Sequence, residues 1–320
     1  MTPLLRLSTA AAVFAASPSF ADPPETPPAA ASTETKPLSG VRFSIFAGGE
    51  YLFESDFSDV EGALAVGRFG AGIAADFALT DRLDASLSVS EELSFYDFTE
   101  NSTLASLLDD SGGDDADLTG SETSFLARLT YEVDERWSVF AGGGGRFALE
   151  PGADWGEAFA PFGLAGATYR VNQRLILGGG VIVADQLEES VLVLPLIIVN
   201  WQISDRFTLT NSGSGFRRGP NLQIVYKIDE AWSVFAEGGY ASRDFRLDED
   251  GPTPDGVLRE RRIPVGAGVT YAPGPNFAAA LRAGFAFGGS VEVDDSDGDN
   301  LFDEDLDGSP YVGFDLRLRM

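Results

Sequence analysis

LTYEVDERWSVFAGGG, residues 129–144, returns 95 positions later as IVYKIDEAWSVFAEGG, residues 224–239. Each copy reads aromatic, any residue, aliphatic, a short polar turn, a second aromatic, then a strand of alternating character. That is the pattern of an antiparallel hairpin written more than once. Looser copies surround TDR between Phe77-Ala78-Leu79 and Leu83, NQR between Tyr169-Arg170-Val171 and Leu175, and SDR between Trp201-Gln202-Ile203 and Phe207. Tyr271-Ala272, PGPN and Phe277 supply another.

Working outward from these turns, apolar residues fall at every second position, the period that gives a strand one apolar face. The last strand does so most clearly. Val312, Phe314, Leu316, Leu318 and Met320 share one face, and Gly313, Asp315, Arg317 and Arg319 share the other. Strands are expected at 41–54, 62–79, 83–98, 123–133, 136–149, 158–171, 174–185, 190–203, 206–216, 219–228, 231–246, 262–272, 276–292 and 309–320. Between the short turns lie long connections rich in acid and glycine, at 99–122, 150–157, 247–261 and 293–308. Short turns at one end and long loops at the other are the asymmetry of an outer-membrane barrel. The expected fold class is all-β, a transmembrane antiparallel up-and-down β-barrel of about 14 strands, within a range of about 12 to 16.

Aromatics flank the short turns in nearly every copy, among them Tyr131, Trp137, Tyr169, Trp201, Tyr226 and Trp232. Such rings collect at the level of lipid headgroups, and Arg82, Arg136, Arg174 and Arg206 in the turns are placed to snorkel toward water. A soluble propeller also repeats its strands, but they are covered on both faces and need not alternate. One stretch breaks the pattern. Ser190 to Ile203, SVLVLPLIIVNWQI, is apolar on both faces, too short for a spanning helix, and rich in β-branched residues. As a strand it turns an apolar side to the lumen, against either an interior plug or neighbouring subunit, or an apolar ligand.

The N-terminus reads as an export signal over residues 1–21, with Arg6, an apolar stretch from Leu7 to Ala16, and the small-x-small site Ser19-Phe20-Ala21. Residues 22–39 hold five prolines and no apolar period, as a disordered tether does. Residues 40–320 are then the barrel. There is no cysteine and no histidine, which excludes a disulfide framework, a thiol nucleophile and a histidine-based triad. No convergent carboxylate pair stands out in their place, so the chain is read as a non-enzyme. A net charge of −28 makes nucleic acid an unsuitable partner. The expected surroundings are outer-membrane lipid and lipopolysaccharide in the bacterial cell outer membrane.

Alternation aims Arg68, Arg128, Arg146, Glu237, Arg243, Arg282, Asp315 and Arg317 into the lumen, with Glu50 and Asp76 on the same faces. Such a set forms either a constriction with crossed fields or salt bridges that fill the barrel. A porin-like channel for small solutes is the first expectation, the apolar stretch at 190–203 leaving room for hydrophobic compounds. The other is a non-conducting structural barrel whose acidic loops bind a partner, divalent cations or lipopolysaccharide. Asp295, Asp297, Asp299 and Asp303 resemble the opening of a calcium loop, but Asn300 replaces its glycine and Leu306 its closing glutamate. No other cofactor is expected.

Tyr311-Val312-Gly313-Phe314-Asp315-Leu316-Arg317-Leu318 resembles the signal read by the barrel assembly machinery, although the chain ends in Met320 and not an aromatic. Upstream, Arg243 to Gly256, then Arg262-Ile263-Pro264-Val265, then Gly288-Gly289 and the acidic loop resemble an uncharacterised family of bacterial outer-membrane β-barrel proteins, most strongly over residues 200–320. The resemblance implies a barrel in the outer membrane and no substrate.

Overall fold

A computed structural model describes residues 40–109, 113–187, 189–211 and 219–320. The regions expected as export signal and tether lie outside these residues. In chain order the strands are β1 (Val41–Asp56), β2 (Ala63–Ala78), β3 (Leu83–Thr99), β4 (Ala116–Glu132), β5 (Trp137–Leu149), β6 (Phe159–Asn172), β7 (Leu175–Gln186) and β8 (Glu189–Gln202). They continue with β9 (Phe207–Thr210), β10 (Asn221–Lys227), β11 (Trp232–Gly239), β12 (Ala241–Arg246), β13 (Val257–Gly274), β14 (Phe277–Asp294), β15 (Asn300–Leu306) and β16 (Ser309–Arg319). One helix, α1 (Ser102–Leu108), sits between β3 and β4.

Antiparallel ladders run from β1 through β11, pass to β13, β14 and β16, and return to β1, closing a 14-stranded barrel. The two ends of the described chain meet where Phe43 and Met320 exchange backbone hydrogen bonds of 3.1 and 2.8 Å. Closure at the β1–β16 seam leaves neither the first nor the last described strand as a free edge. Its outer face carries exposed apolar side chains such as Phe43, Ile73, Leu87, Leu129 and Leu318, a surface suited to lipid. Near the short turns, cross-strand ring pairs form the rim of that band: Trp137 with Tyr169 at 4.8 Å, Phe207 with Tyr226 at 4.8 Å, and Trp232 with Tyr271 at 4.6 Å.

The short turns share one device. A side-chain oxygen at the head of the turn accepts the backbone N–H groups two and three residues later, which satisfies donors the tight reversal leaves unpaired. Asp134 accepts from Arg136 at 2.7 Å and Trp137 at 2.8 Å, and Asp229 from Ala231 and Trp232, both at 2.8 Å. Thr80 and Ser204 do the same with weaker hydroxyl acceptors. These hydrogen bonds to its charged form hold the Asp134 carboxyl below its ordinary value, the Arg136 N–H contributing most.

At the opposite end the barrel is capped by its own strands. β11 and β12 keep one register against β13, since Gly238 faces Val265 and Ala241 faces Arg262, but the strand breaks at Tyr240. β14 is bulged at the same level, between its pairings Ile263–Phe287 and Arg262–Gly289, with Gly288 in the left-handed region at φ 49°. Beyond this line β12, the first part of β13, the last part of β14, and β15 form a four-stranded sheet, largely buried along β12–β14 and exposed on one face of β15. Its two edges are fastened to the wall. Arg246 pairs in parallel with Leu149 of β5, and Leu306 bridges Phe57 just past β1. The loop end therefore contains a second, smaller ring made of β1–β5 and β12–β15, nine strands in all.

This ring is packed solid. Leu52, Leu64, Val66, Tyr96 and Phe98 come from the wall, Leu104 and Ala105 from α1, and seven apolar side chains from the cap: Phe245, Leu247, Leu258, Val291, Val293, Phe302 and Leu306. Burial of such a side chain contributes roughly 1.5–3 kcal/mol, so seven hold the cap in place by something of order 10 kcal/mol. Asn101 starts α1 by accepting the Leu104 N–H at 2.9 Å, and Thr253 in the cap loop donates to the Leu107 carbonyl at 2.7 Å.

The strand count and most boundaries agree with the expected ones. Four differ. β4 begins at Ala116, inside what reads as a loop, and that loop also contains α1. β13 begins at Val257, five residues before its alternating part. The acidic connection 293–308 holds β15, and the strand expected at 206–216 is β9, ending at Thr210, with residues 212–216 outside the described ones. The start of β13 is buried on both faces, so period two is lost there, whereas the added parts of β4 and β15 keep alternating burial but lie in stretches so rich in acid that they read as loops.

Candidate functional site

Inside the barrel the wall divides into a charged arc and an apolar arc. The charged arc follows from small polar residues at inward positions of β3, Ser86, Ser88, Ser90, Glu92 and Ser94, which leave room for long arginines from neighbouring strands. Arg68 on β2 pairs with Glu260 of the cap and, at 3.6 Å, with Glu50 of β1. Its guanidinium also lies over the Tyr96 ring, 5.7 Å from the centroid, while the Tyr96 hydroxyl donates to Glu260 at 3.0 Å. Arg262 completes the cluster with contacts to Glu260 at 3.1 Å and to the Ser55 hydroxyl at 3.1 Å.

Two further pairs fasten β12 to the wall: Arg243 to Glu92 at 2.8 Å, and Asp244 to Arg146 at 2.6 Å, with Glu122 3.5 Å from the same guanidinium. On the other side of β1, Arg282 pairs with Asp315 and lies 3.7 Å from Glu50. These groups are almost fully buried, so each charge depends on its partner.

The apolar arc lies on β4–β8. Hydrogen-bonded register places Leu126, Gly144, Phe162, Ala184 and Leu192 in one row across five strands, and Leu164, Ile182 and Leu194 in the next. The two faces of β8 are told apart by exposure: Val193 and Ile197, outside, are 62% and 68% exposed, whereas Leu192, inside, is 6% exposed. Glycines on the inner face admit the bulky neighbours. The Phe162 ring lies where a Cβ on Gly144 would point, and Phe140 does the same over Gly166.

Below both arcs, at the short-turn end, a cavity of about 220 Å³ opens among Asn200, Thr208, Gln223, Asp315, Arg317 and Arg319. Asn200 continues the inner face of β8 downward from Leu192, Leu194, Leu196 and Ile198. The apolar arc and the polar vestibule are thus two stretches of one strand face.

The structure joins Arg68, Arg282 and Asp315 in one buried chain of ion pairs through Glu50, places Arg243 and Arg146 in two separate buried pairings, and leaves Arg317 in the vestibule. Arg128 stands lower on the charged side, in register through Ser86 with Asp76. Glu237 accepts from Gln223 at 3.4 Å near the cavity. Arg243 differs from the expectation in its carrier: it projects from the cap strand and not from the barrel wall. The expected list misses Glu260, Glu92, Glu122, Asp244 and Arg262. Of these, Glu92 was readable from the polar inner face of β3, but the charged run Arg259 to Arg262 reads as loop.

Asp295, Asp297, Asp299 and Asp303 surround the β14–β15 turn, and among the described residues no group of three or more acidic side chains converges as a metal site. Asp295 spends one carboxylate oxygen on the N–H groups of Asp297 and Asp299, at 3.0 and 2.9 Å, in the manner of a turn.

Residues 130–319 match a family described as a domain of unknown function, DUF6268, which is more than half of the chain. The chain belongs to the DUF6268 family. No curated protein matches it by sequence. Among solved structures it is similar to an outer membrane channel from Pseudomonas putida F1, with 11% identity, coverage of 91% of this chain and 99% of that one, and a TM-score of 0.46. It is also similar to the P. putida toluene transporter TodX, with 11% identity, 88% and 89% coverage and a TM-score of 0.39. A Pseudomonas aeruginosa FadL homologue follows at 9% identity, 87% and 90% coverage and 0.34. For this DUF6268 barrel the chemistry of the lumen has to be read from its own side chains.

Proposed function

We propose that this chain is an integral outer-membrane channel for small solutes. The observation that carries the reading is the vestibule of about 220 Å³ at the short-turn end, which lies on the inner side of the wall among Asn200, Thr208, Gln223, Asp315 and Arg317. A barrel whose only task is to fill the membrane has no need of such an interior, and the lipid-facing band with its aromatic rim supports residence in the outer membrane. The buried arginines are better suited to fastening the cap to the wall than to lining an open constriction, because each is matched by a carboxylate within ion-pair distance. Nothing in this arrangement supplies a nucleophile and base, which favours transport over catalysis.

Purified full-length protein in planar bilayers and in swelling assays on sugar-loaded liposomes tests the proposal. Discrete current steps, or swelling above that of protein-free vesicles, are expected. A second reading, a non-conducting structural barrel that presents its acidic loops to a partner, is favoured by the packed nine-stranded ring. It gains if neither assay responds while the protein remains folded.

A further inference from the structure

We infer that the vestibule at the short-turn end is a binding site for small multivalent anions, carboxylates or phosphate, with Lys227, Arg317 and Arg319 as its cationic groups. As a statement about transport the inference rests on the channel reading above and names its solute class; as a binding site it is measurable without any current. In outer-membrane barrels the short turns face the periplasm, so such a solute meets the site from that side. The chain has 50 acidic and 22 basic residues, which makes a gathering of positive charge in one cavity a departure from its average. Lys227 stands opposite Ser233 in the β10–β11 ladder. Arg317 stands between Ala278 of β14 and Phe46 of β1, and Arg319, two positions on, faces Ser44. The three cations enter one space of about 220 Å³ from two sides, and the wall between them carries short side chains, Ser233, Thr270 and Ala278. A small ligand is thereby given room between charges of one sign.

The acids around the cavity are engaged in other ways. Asp315, on the inner face of β16, pairs with Arg282. At the rim, Asp205 pairs with Arg174 at 2.8 Å, and Asp229 accepts the Ala231 and Trp232 N–H groups of its turn, both at 2.8 Å. Glu230 is exposed in the same turn, where water and salt screen its charge. The other side of the same end is built differently: there the inward Arg42 of β1 stands in register with the inward Asp76 of β2. Arginine matches carboxylate and phosphate with paired donors, lysine adds a point charge, and the Asn200 amide and Thr208 hydroxyl can donate from the facing wall. Cations on two sides favour an anion with more than one charged group, since a monovalent ion reaches one side at a time.

The test is isothermal titration of the full chain in detergent with citrate, with inorganic phosphate and, as a neutral control, with glucose. Citrate or phosphate should give a saturable heat that weakens as sodium chloride is added, and glucose none. The tighter of the two anions identifies the class, carboxylate or phosphate. Arg317→Gln and Lys227→Gln should each weaken binding about tenfold, the loss expected for one hydrogen bond to a charged group. Lys227→Arg, which keeps the charge, should retain it. The salt dependence of the wild type is a readout that needs no variant to fold. No saturable heat from either anion, or a heat that survives both glutamine substitutions, would overturn the site. Current steps in planar bilayers without preference for anions in a salt gradient would overturn the solute class and leave the channel intact. Saturable anion binding in a protein that passes no current would support the site and overturn the channel reading.

Discussion

The two sides of this barrel are built from the same hairpin and do opposite things with their inner faces. On β1–β3 Arg68 pairs with Glu260 of the cap and Glu92 takes Arg243 of the cap, so that side is knitted to the strands that close the lumen. On β6–β8 the inward residues are glycine and aliphatic, and the cap is fastened elsewhere. The contrast teaches that one hairpin pattern can supply two kinds of wall: on one side the inner face is built from charge pairs, and on the other from a row of packed aliphatic side chains.

The sharpest way to break the contrast is Arg68→Ala. It leaves Glu260 buried without its main partner, and a loss of about 3–5 kcal/mol is expected from urea unfolding in detergent. The paired change Arg68→Met with Glu260→Leu should recover most of that loss, since apolar replacement of a buried pair is often neutral. If the single change is silent, the charged arc does not hold the cap. On the apolar side, Phe162→Ala removes a ring from the row Leu126 to Leu192 and should cost about 3 kcal/mol, measured the same way. It should not loosen the cap, so protease sensitivity of the β12–β13 loop should rise in Arg68→Ala and stay at the wild-type level in Phe162→Ala.

The smallest effect belongs to the turns that both sides share. Because the folded-state value of Asp134 is depressed, its contribution is present above the ordinary aspartate value of 3.8 and fades as pH falls below it. Asp134→Ala should remove that acid dependence with only a slight change at neutral pH, read from pH-dependent unfolding of the two proteins. An unchanged acid profile would mean that the exposed turn carries no measurable linkage.

Much of this was legible in the chain. The outer wall could be read because lipid on one side and lumen on the other impose period two, and the turns because those at Thr80, Asp134, Asn172, Ser204 and Asp229 begin with an oxygen-bearing side chain and the sixth is PGPN. The apolar lumen face at 190–203 was legible too, as a run with no polar side. The cap was not. Val257-Leu258-Arg259-Glu260-Arg261-Arg262 looks like an exposed charged loop, and only partners more than 150 residues away in sequence, such as Arg68 and Tyr96, allow Glu260 to be buried. Likewise, Asp303 to Asp305 read as a cation loop when β15 is an edge strand fastened to the end of β1.

β1 bears both closures: its ladder to β16 completes the outer ring, and its last residues receive β15 to complete the inner one. The two rings therefore share a seam whose halves lie at opposite ends of the chain. Contacts of such sequence separation are slow to form, because the loop entropy is lost before any contact rewards it. Until the C-terminal strands are in place β1 keeps an unpaired edge, so neither ring can close without them.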